Sequence, residues 1–248
     1  MKNKQITFSG LPKGNILGGG IEIGPVKKLM SVFIFVLAKE ALRRSKRSTL
    51  QHRAFGILEA YILTVAALEA FINEFCIEKI EQRKGAKKST RDLKKAIYPD
   101  EHGHFMDIKQ KYECVPRVLW SKSFDKGGKL WNDFVALIRL RNDIVHYTPE
   151  WESPGYVPDY LSSIYRRIVP RQAKSFNDEK TLIDILNTNK SFIDRICIPE
   201  MGMWALDTGV NMVQQFLLFC SLRDSLRDDY IMMFERARIR LPSISWGS

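Results

Sequence analysis

Leu58-Glu59-Ala60-Tyr61-Ile62-Leu63-Thr64-Val65-Ala66-Ala67-Leu68-Glu69-Ala70-Phe71-Ile72-Asn73-Glu74-Phe75-Cys76 decides the fold class. Leu58, Ile62, Val65, Ile72 and Cys76 recur at helical spacing, and Tyr61, Leu68, Phe71 and Phe75 widen the same stripe. The spacing predicts a long helix over 49–84, with Gly85 as its C-cap. Glu69 interrupts the stripe between Val65 and Ile72, and Asn73 follows one turn later on the same face. A carboxylate in a buried register is costly unless it is paired. Either Glu69 is solvated at the edge of the stripe, or it meets a cation from another helix.

Arg141 is the natural partner. Residues 138–147 read Ile138-Arg139-Leu140-Arg141-Asn142-Asp143-Ile144-Val145-His146-Tyr147 and end a predicted helix that starts near Lys129. Leu130, Phe134, Leu137 and Ile138 form its apolar stripe, and Arg141 stands where the register expects another apolar side chain. Asn142 and His146 are one turn apart, so a permanent cation, an amide and an imidazole share one arc of the helix end. That set suits phosphate chemistry.

The remaining segments also read as helix or connection. Residues 1–25 are rich in glycine, but Gly18, Gly20 and Gly24 lack the spacing and βαβ context of a dinucleotide loop, so the segment reads as an arm. Residues 26–47 read as an extra helix with Val26, Leu29, Met30, Phe33, Val36 and Leu37 inward and Arg43, Arg44, Lys46 and Arg47 at its end. Residues 83–95 are strongly basic, with Lys84, Lys87, Lys88, Arg91, Lys94 and Lys95 the candidates for contact with an RNA backbone. Ser89 or Thr90 would cap a short helix beginning near Arg91. His102-Gly103-His104 reads as a surface turn before a helix over 105–120, because Glu101 and Cys114 do not complete a convincing zinc set. Pro149 stops the central helix, and Trp151 to Pro158 is loop-like. Helices are expected near 159–169, 179–196, 203–222 and 228–240. No segment reads as a sheet and no repeat is evident, so the expectation is an all-α bundle.

The 248 residues suffice for one large domain with extensions, and a hydrophobic content of 45% suffices for its core. A net charge of +11 favours an anionic partner, nucleic acid first. Cys76, Cys114, Cys197 and Cys220 form no CxxC pair and read as reduced thiols, which points to the cytoplasm. No secretory leader is evident, and the apolar run 29–38 is too short for a bilayer, so no membrane partner is expected. No metal site and no cofactor site emerges.

Arg141-Asn142-Asp143-Ile144-Val145-His146 resembles the R-x4-6-H signature of the HEPN superfamily. The hydrophobic approach Val135-Ala136-Leu137-Ile138, the earlier helix Ala66 to Phe75 and the late helix Trp204 to Phe219 fit the resemblance, which covers roughly 50–225. It implies a HEPN-like helical domain over 49–225, an N-terminal arm and extra helix over 1–48, and a C-terminal helix and tail over 226–248. It also implies metal-independent endoribonuclease chemistry, with Arg141, His146 and Asn142 catalytic and Glu69, Asn73 and Tyr147 supporting. The implied protein is a homodimer that cuts RNA as a toxin or antiviral defence effector, with an antitoxin or regulatory protein as a further partner. The alternative is a non-catalytic HEPN-like module for dimerisation or for nucleotide or RNA binding. Some members carry tyrosine two residues after the histidine. Here that position is Thr148, which removes any regulation that depends on modifying that tyrosine.

Overall fold

The computed structural model describes residues 29–46, 50–82, 87–146, 158–168 and 192–241. Among them the chain is all-α: α1 Met30–Ser45, α2 Leu50–Gln82, α3 Lys87–Ile97, α4 Ile108–Trp120, α5 Lys129–Val145, α6 Asp159–Ile168, α7 Phe192–Ile196, α8 Pro199–Phe219 and α9 Ser225–Arg236. The expected glycine-rich arm, the proline-rich loop after Tyr147 and most of the helix expected over 179–196 lie outside the described residues.

The long α2 is the axle of the bundle, and α1, α3, α4, α5 and α8 all pack on it. Tyr61, Val65, Leu68, Phe71, Ile72, Phe75 and Cys76 are buried, whereas Ile62 is exposed. The core stripe is therefore centred on the positions that were expected only to widen it. By length and composition, His52–Gln82 would suffice to cross a bilayer. In this bundle 56% of that stretch's most apolar window is buried against neighbouring helices.

The apolar side expected for α1 is corrected. Its buried residues are Ser31, Val32, Phe35, Ala38, Ala41, Leu42 and Ser45, while Met30, Phe33 and Leu37 face outward. The cause is close approach. Gly56 of α2 lies so near that a Cβ there would sit 2.8 Å from the Ala41 carbonyl oxygen and 2.9 Å from Ser45 Cβ. Small residues on both helices admit that contact, and larger side chains on the same face would push the backbones apart.

Glu74 ties three helices together. Its carboxylate accepts the Ser31 N–H at 3.1 Å and the Ser31 hydroxyl at 2.7 Å. It also accepts the Tyr230 hydroxyl of α9 at 3.2 Å. Helix α1 has no side-chain cap of its own and no acidic residue in its first turn. The carboxylate from α2 therefore takes the place of an N-cap. Around it Phe71 packs edge-on against Phe216 and Tyr230 at centroid distances of 5.3 and 4.8 Å. One continuous hydrophobic cluster runs from Val32 to Ile239.

Helix boundaries moved where capping chemistry decided them. Helix α4 starts at Ile108 because Asp107 accepts the Gln110 N–H at 2.7 Å and Gln110 accepts the Asp107 N–H in return. Helix α3 begins at Lys87, before the expected start near Arg91. Ser89 and Thr90 thus lie inside the helix, and the buried Thr90 hydroxyl has no hydrogen-bond partner among the described residues.

Candidate functional site

Helix α5 buries Trp131, Phe134, Leu137 and Leu140 and ends at Val145. The aromatic ring of Tyr112 on α4 packs against Phe134 with centroids 5.0 Å apart, and its hydroxyl donates to the Leu68 carbonyl of α2 at 3.1 Å. These contacts set the register of α5 on α2. Arg141 follows Phe134 by seven residues, about 10 Å along the axis. It is half-buried on the shoulder of the core face, while Asn142 and His146 are exposed. His146 is the C-cap at φ −108° and ψ 39°, and its backbone N–H donates to the Asn142 carbonyl at 2.8 Å. The chain thus leaves the helix at the imidazole. Among the described residues, the side chains of Arg141, Asn142 and His146 make no hydrogen bond or ion pair. A cation, an amide and an imidazole are available to an incoming ligand.

Residues of the same segment that the sequence reading passed over brace this helix end. Tyr160, in the first turn of α6, donates its hydroxyl to the Asp143 carboxylate. The Arg139 guanidinium lies over the Tyr160 ring, 4.7 Å from its centroid. Arg139 and Asp143 are one turn apart on α5, so one tyrosine engages both. The spacing of Arg139 and Asp143 was visible in the sequence. Their shared partner lay 17 residues beyond Asp143, across a connection that periodicity does not resolve.

Glu69 and Asn73 are placed elsewhere. Lys111 of α4, only 3% exposed, donates to Asn73 Oδ1 at 3.0 Å and lies 3.7 Å from Glu69 Oε1. Both residues thus serve the α2–α4 junction, near the Phe134 level of α5. The Glu69 side chain is 46% exposed, so the polar break in the α2 stripe lies at its solvated edge, beside the buried Lys111, and Arg141 is not its partner.

Lys88, Arg91, Lys94 and Lys95 are exposed on α3. Lys84, Tyr147 and the side chain of Lys87 lie outside the described residues. His102 and His104 occupy an exposed turn, His102 3.6 Å from the Glu101 carboxylate and His104 3.8 Å from that of Asp100. No group of three or more His, Cys, Asp or Glu side chains among the described residues is placed to hold a metal.

The thiols offer no nucleophile. Burial pushes Cys76 and Cys197 up to about 12, and burial followed by the Asp224 charge does the same for Cys220. Burial also raises Cys114. All four are free and protonated at neutral pH. A cavity of about 390 Å³ lies between α5 and α8, with Lys129, Asp133, Trp204 and Asp207 in its wall. Arg141, Asn142 and His146 are not among its lining residues.

Searches against protein-family models, curated proteins and solved structures find no match to this chain.

Proposed function

We propose that the protein is a metal-independent endoribonuclease of HEPN type, acting as a toxin or antiviral defence effector on cellular RNA. One observation carries the reading: Arg141, Asn142 and His146 stand together at an accessible helix end, engaged by no other described side chain, in a chain of net charge +11. Asp143, Tyr160 and Arg139 fix the backbone beneath them.

The chemistry requires few groups. The ribose 2′-hydroxyl attacks the adjacent phosphorus, the 5′-oxygen of the next nucleotide leaves, and the products carry a 2′,3′-cyclic phosphate and a 5′-hydroxyl. The His146 imidazole accepts the hydroxyl proton or protonates the leaving oxygen. The Arg141 guanidinium binds the phosphate oxygens as they gain charge. Asn142 orients the phosphate or the imidazole. Acid and base are both needed, and one motif supplies a single histidine. A homodimer that brings two motifs to one cleft supplies the second.

The commitment of Glu69 to Lys111 favours a second reading, because Arg141 then lacks the buried carboxylate that would orient it. On that reading the protein is a non-catalytic HEPN-like module that dimerises or binds nucleotide or RNA. Incubation of purified protein with RNA in chelator separates the two. The enzyme reading expects 2′,3′-cyclic phosphate ends and a loss of at least about 100-fold in His146→Ala. Cleavage that survives this substitution, or RNA left intact by the wild type, refutes it.

A further inference from the structure

We infer that α3 and the turn that follows it form a binding surface for single-stranded RNA, with Tyr98 and Phe105 as base-stacking platforms. The inference rests on the ribonuclease reading only in its choice of RNA as the ligand. Helix α3 turns Leu93 and Ala96 into the core. On the opposite side Arg91, Lys94, Lys95 and Tyr98 fall at positions i, i+3, i+4 and i+7, and Lys88 extends the stripe one turn earlier. Lys88, Arg91 and Lys94 are thus about 4.5 Å apart along the axis, Lys95 stands beside Lys94, and the stripe ends in an aromatic ring. Asp92 is the lone acidic residue of the helix and lies off this face.

A hydrogen-bonded turn brings the chain from the first exposed ring to a second. Tyr98 N–H donates to the Lys94 carbonyl at 2.9 Å, which continues the helical register to Tyr98. Asp100 then closes the turn. Its N–H donates to the His104 carbonyl at 2.9 Å, and its side-chain oxygen accepts the N–H groups of His102 and His104 at 2.9 Å each. Gly103 sits at φ +80°, a conformation other residues adopt only with strain. With positions 100 and 104 pinned together, Tyr98 and Phe105 stand at the two ends of one turn. Tyr98 is 54% exposed and Phe105 is 65% exposed.

A phenylalanine that open to water at the end of a cationic helix has no role in this core. Phosphates can follow the Lys88–Arg91–Lys94–Lys95 stripe while bases stack on Tyr98 and Phe105. Duplex RNA keeps its bases stacked internally and cannot use the rings. Single strands are therefore preferred.

The test measures binding of labelled oligouridylate and of a duplex RNA by fluorescence anisotropy, with the His146→Ala protein used to keep the RNA intact. The single strand should bind more tightly than the duplex. Tyr98→Ala and Phe105→Ala should each weaken it by roughly 5- to 100-fold, and Tyr98→Phe should restore most of the loss. The slope of log affinity against log salt should be about −3 for four cations, falling by about 1 to 2 in the Lys94→Glu, Lys95→Glu double variant. Equal binding of duplex and single strand, or full affinity in both alanine variants, overturns the proposal. Stacking-dependent binding without cleavage by the wild type leaves this surface standing and removes the catalytic reading. Cleavage with no effect of Tyr98 or Phe105 on binding does the reverse.

Discussion

Replacing Glu74 should uncouple α1 and α9 from α2, and the structure sets the order of the losses. The carboxylate accepts three hydrogen bonds, two from Ser31 and one from Tyr230. Ser31 and Tyr230 are both fully buried, so Glu74→Ala leaves their donors without water to replace the lost acceptor. A hydrogen bond to a charged group contributes about 1.5–3 kcal/mol, and the three share one acceptor group, so the expected loss is about 3–5 kcal/mol, less than their sum. Glu74→Gln keeps the volume but turns one acceptor into a donor. The Ser31 N–H uses one carboxylate oxygen, and the Ser31 and Tyr230 hydroxyls use the other. The amide oxygen can take the Ser31 N–H while the NH2 donates to the two hydroxyls, at the expense of the charge that strengthened all three bonds, so the expected cost is smaller than that of alanine, about 1–2 kcal/mol. Tyr230→Phe removes one donor and leaves the Ser31 pair intact, for about 1 kcal/mol. Urea unfolding at neutral pH reads the series directly. In thermal melts Glu74→Ala should lie roughly 6–20 °C below wild type, at about 2–4 °C per kcal/mol for a chain of this size. A Glu74→Ala protein within 1 kcal/mol of wild type, or one more stable than Tyr230→Phe, would refute the assignment of Glu74 as the shared acceptor.

The remaining predictions concern packing, titration and the helix end. Gly56→Ala gains about 1 kcal/mol of helix propensity, yet its new methyl meets the backbone carbonyl of Ala41, which cannot rotate away. A net destabilisation of about 1–2 kcal/mol is expected in urea unfolding, and a stabilised variant would contradict the close α1–α2 contact. Cys76 is raised from 9.0 to about 12 by burial. The folded protein therefore retains a proton that the unfolded chain releases. The contribution is intact below pH 9 and is lost as pH rises toward 12, at about 1.4 kcal/mol per pH unit for one thiol. Urea midpoints between pH 8 and 11 should fall along that window, and less steeply in Cys76→Ala. An unchanged slope would place the titration elsewhere. Tyr160→Phe keeps the ring under Arg139 but releases Asp143, at a cost of about 1 kcal/mol, and Tyr160→Ala removes both contacts and should cost more. If the brace positions the motif, RNA cleavage should fall in the same order, and equal activity in both variants would show that it does not.

The helices were legible because their periodicity is local, and the faces were legible only where size and polarity agreed. The α2 stripe was readable from Tyr61 to Cys76, since large apolar residues there do meet the core. The same rule failed on α1. Ser31, Ala38, Ala41 and Ser45 are buried, and Phe33 and Leu37 are not, because the close α1–α2 contact at Gly56 selects small side chains. Hydrophobicity along one strand of sequence carries no information about how near the partner backbone comes. The motif on α5 was legible as a break in an apolar register. Its surroundings were not. Arg141 and Lys111 were both available cations for Glu69, and only the register of α4 and α5 on α2 decides between them.

That choice also bears on what the motif can do. An arginine held by a buried carboxylate is preorganised, but part of its hydrogen-bonding capacity is already spent. Here the α2 carboxylate is 46% exposed beside Lys111, and Arg141 stands half-buried at the helix end with its guanidinium uncommitted among the described residues. The rigidity comes from below instead, through Asp143 and Tyr160. Such an arrangement leaves all five guanidinium donors for a phosphate and fixes the backbone that carries them. His146, at the point where the helix unwinds, has less of that support, since among the described residues its only hydrogen bond is through the backbone to Asn142. A bound phosphate would therefore be gripped first by Arg141, and the imidazole would be ordered by the ligand or by a second copy of the chain. Substituting Arg141 should then weaken RNA binding and cleavage together, whereas substituting His146 should remove cleavage and leave binding in place.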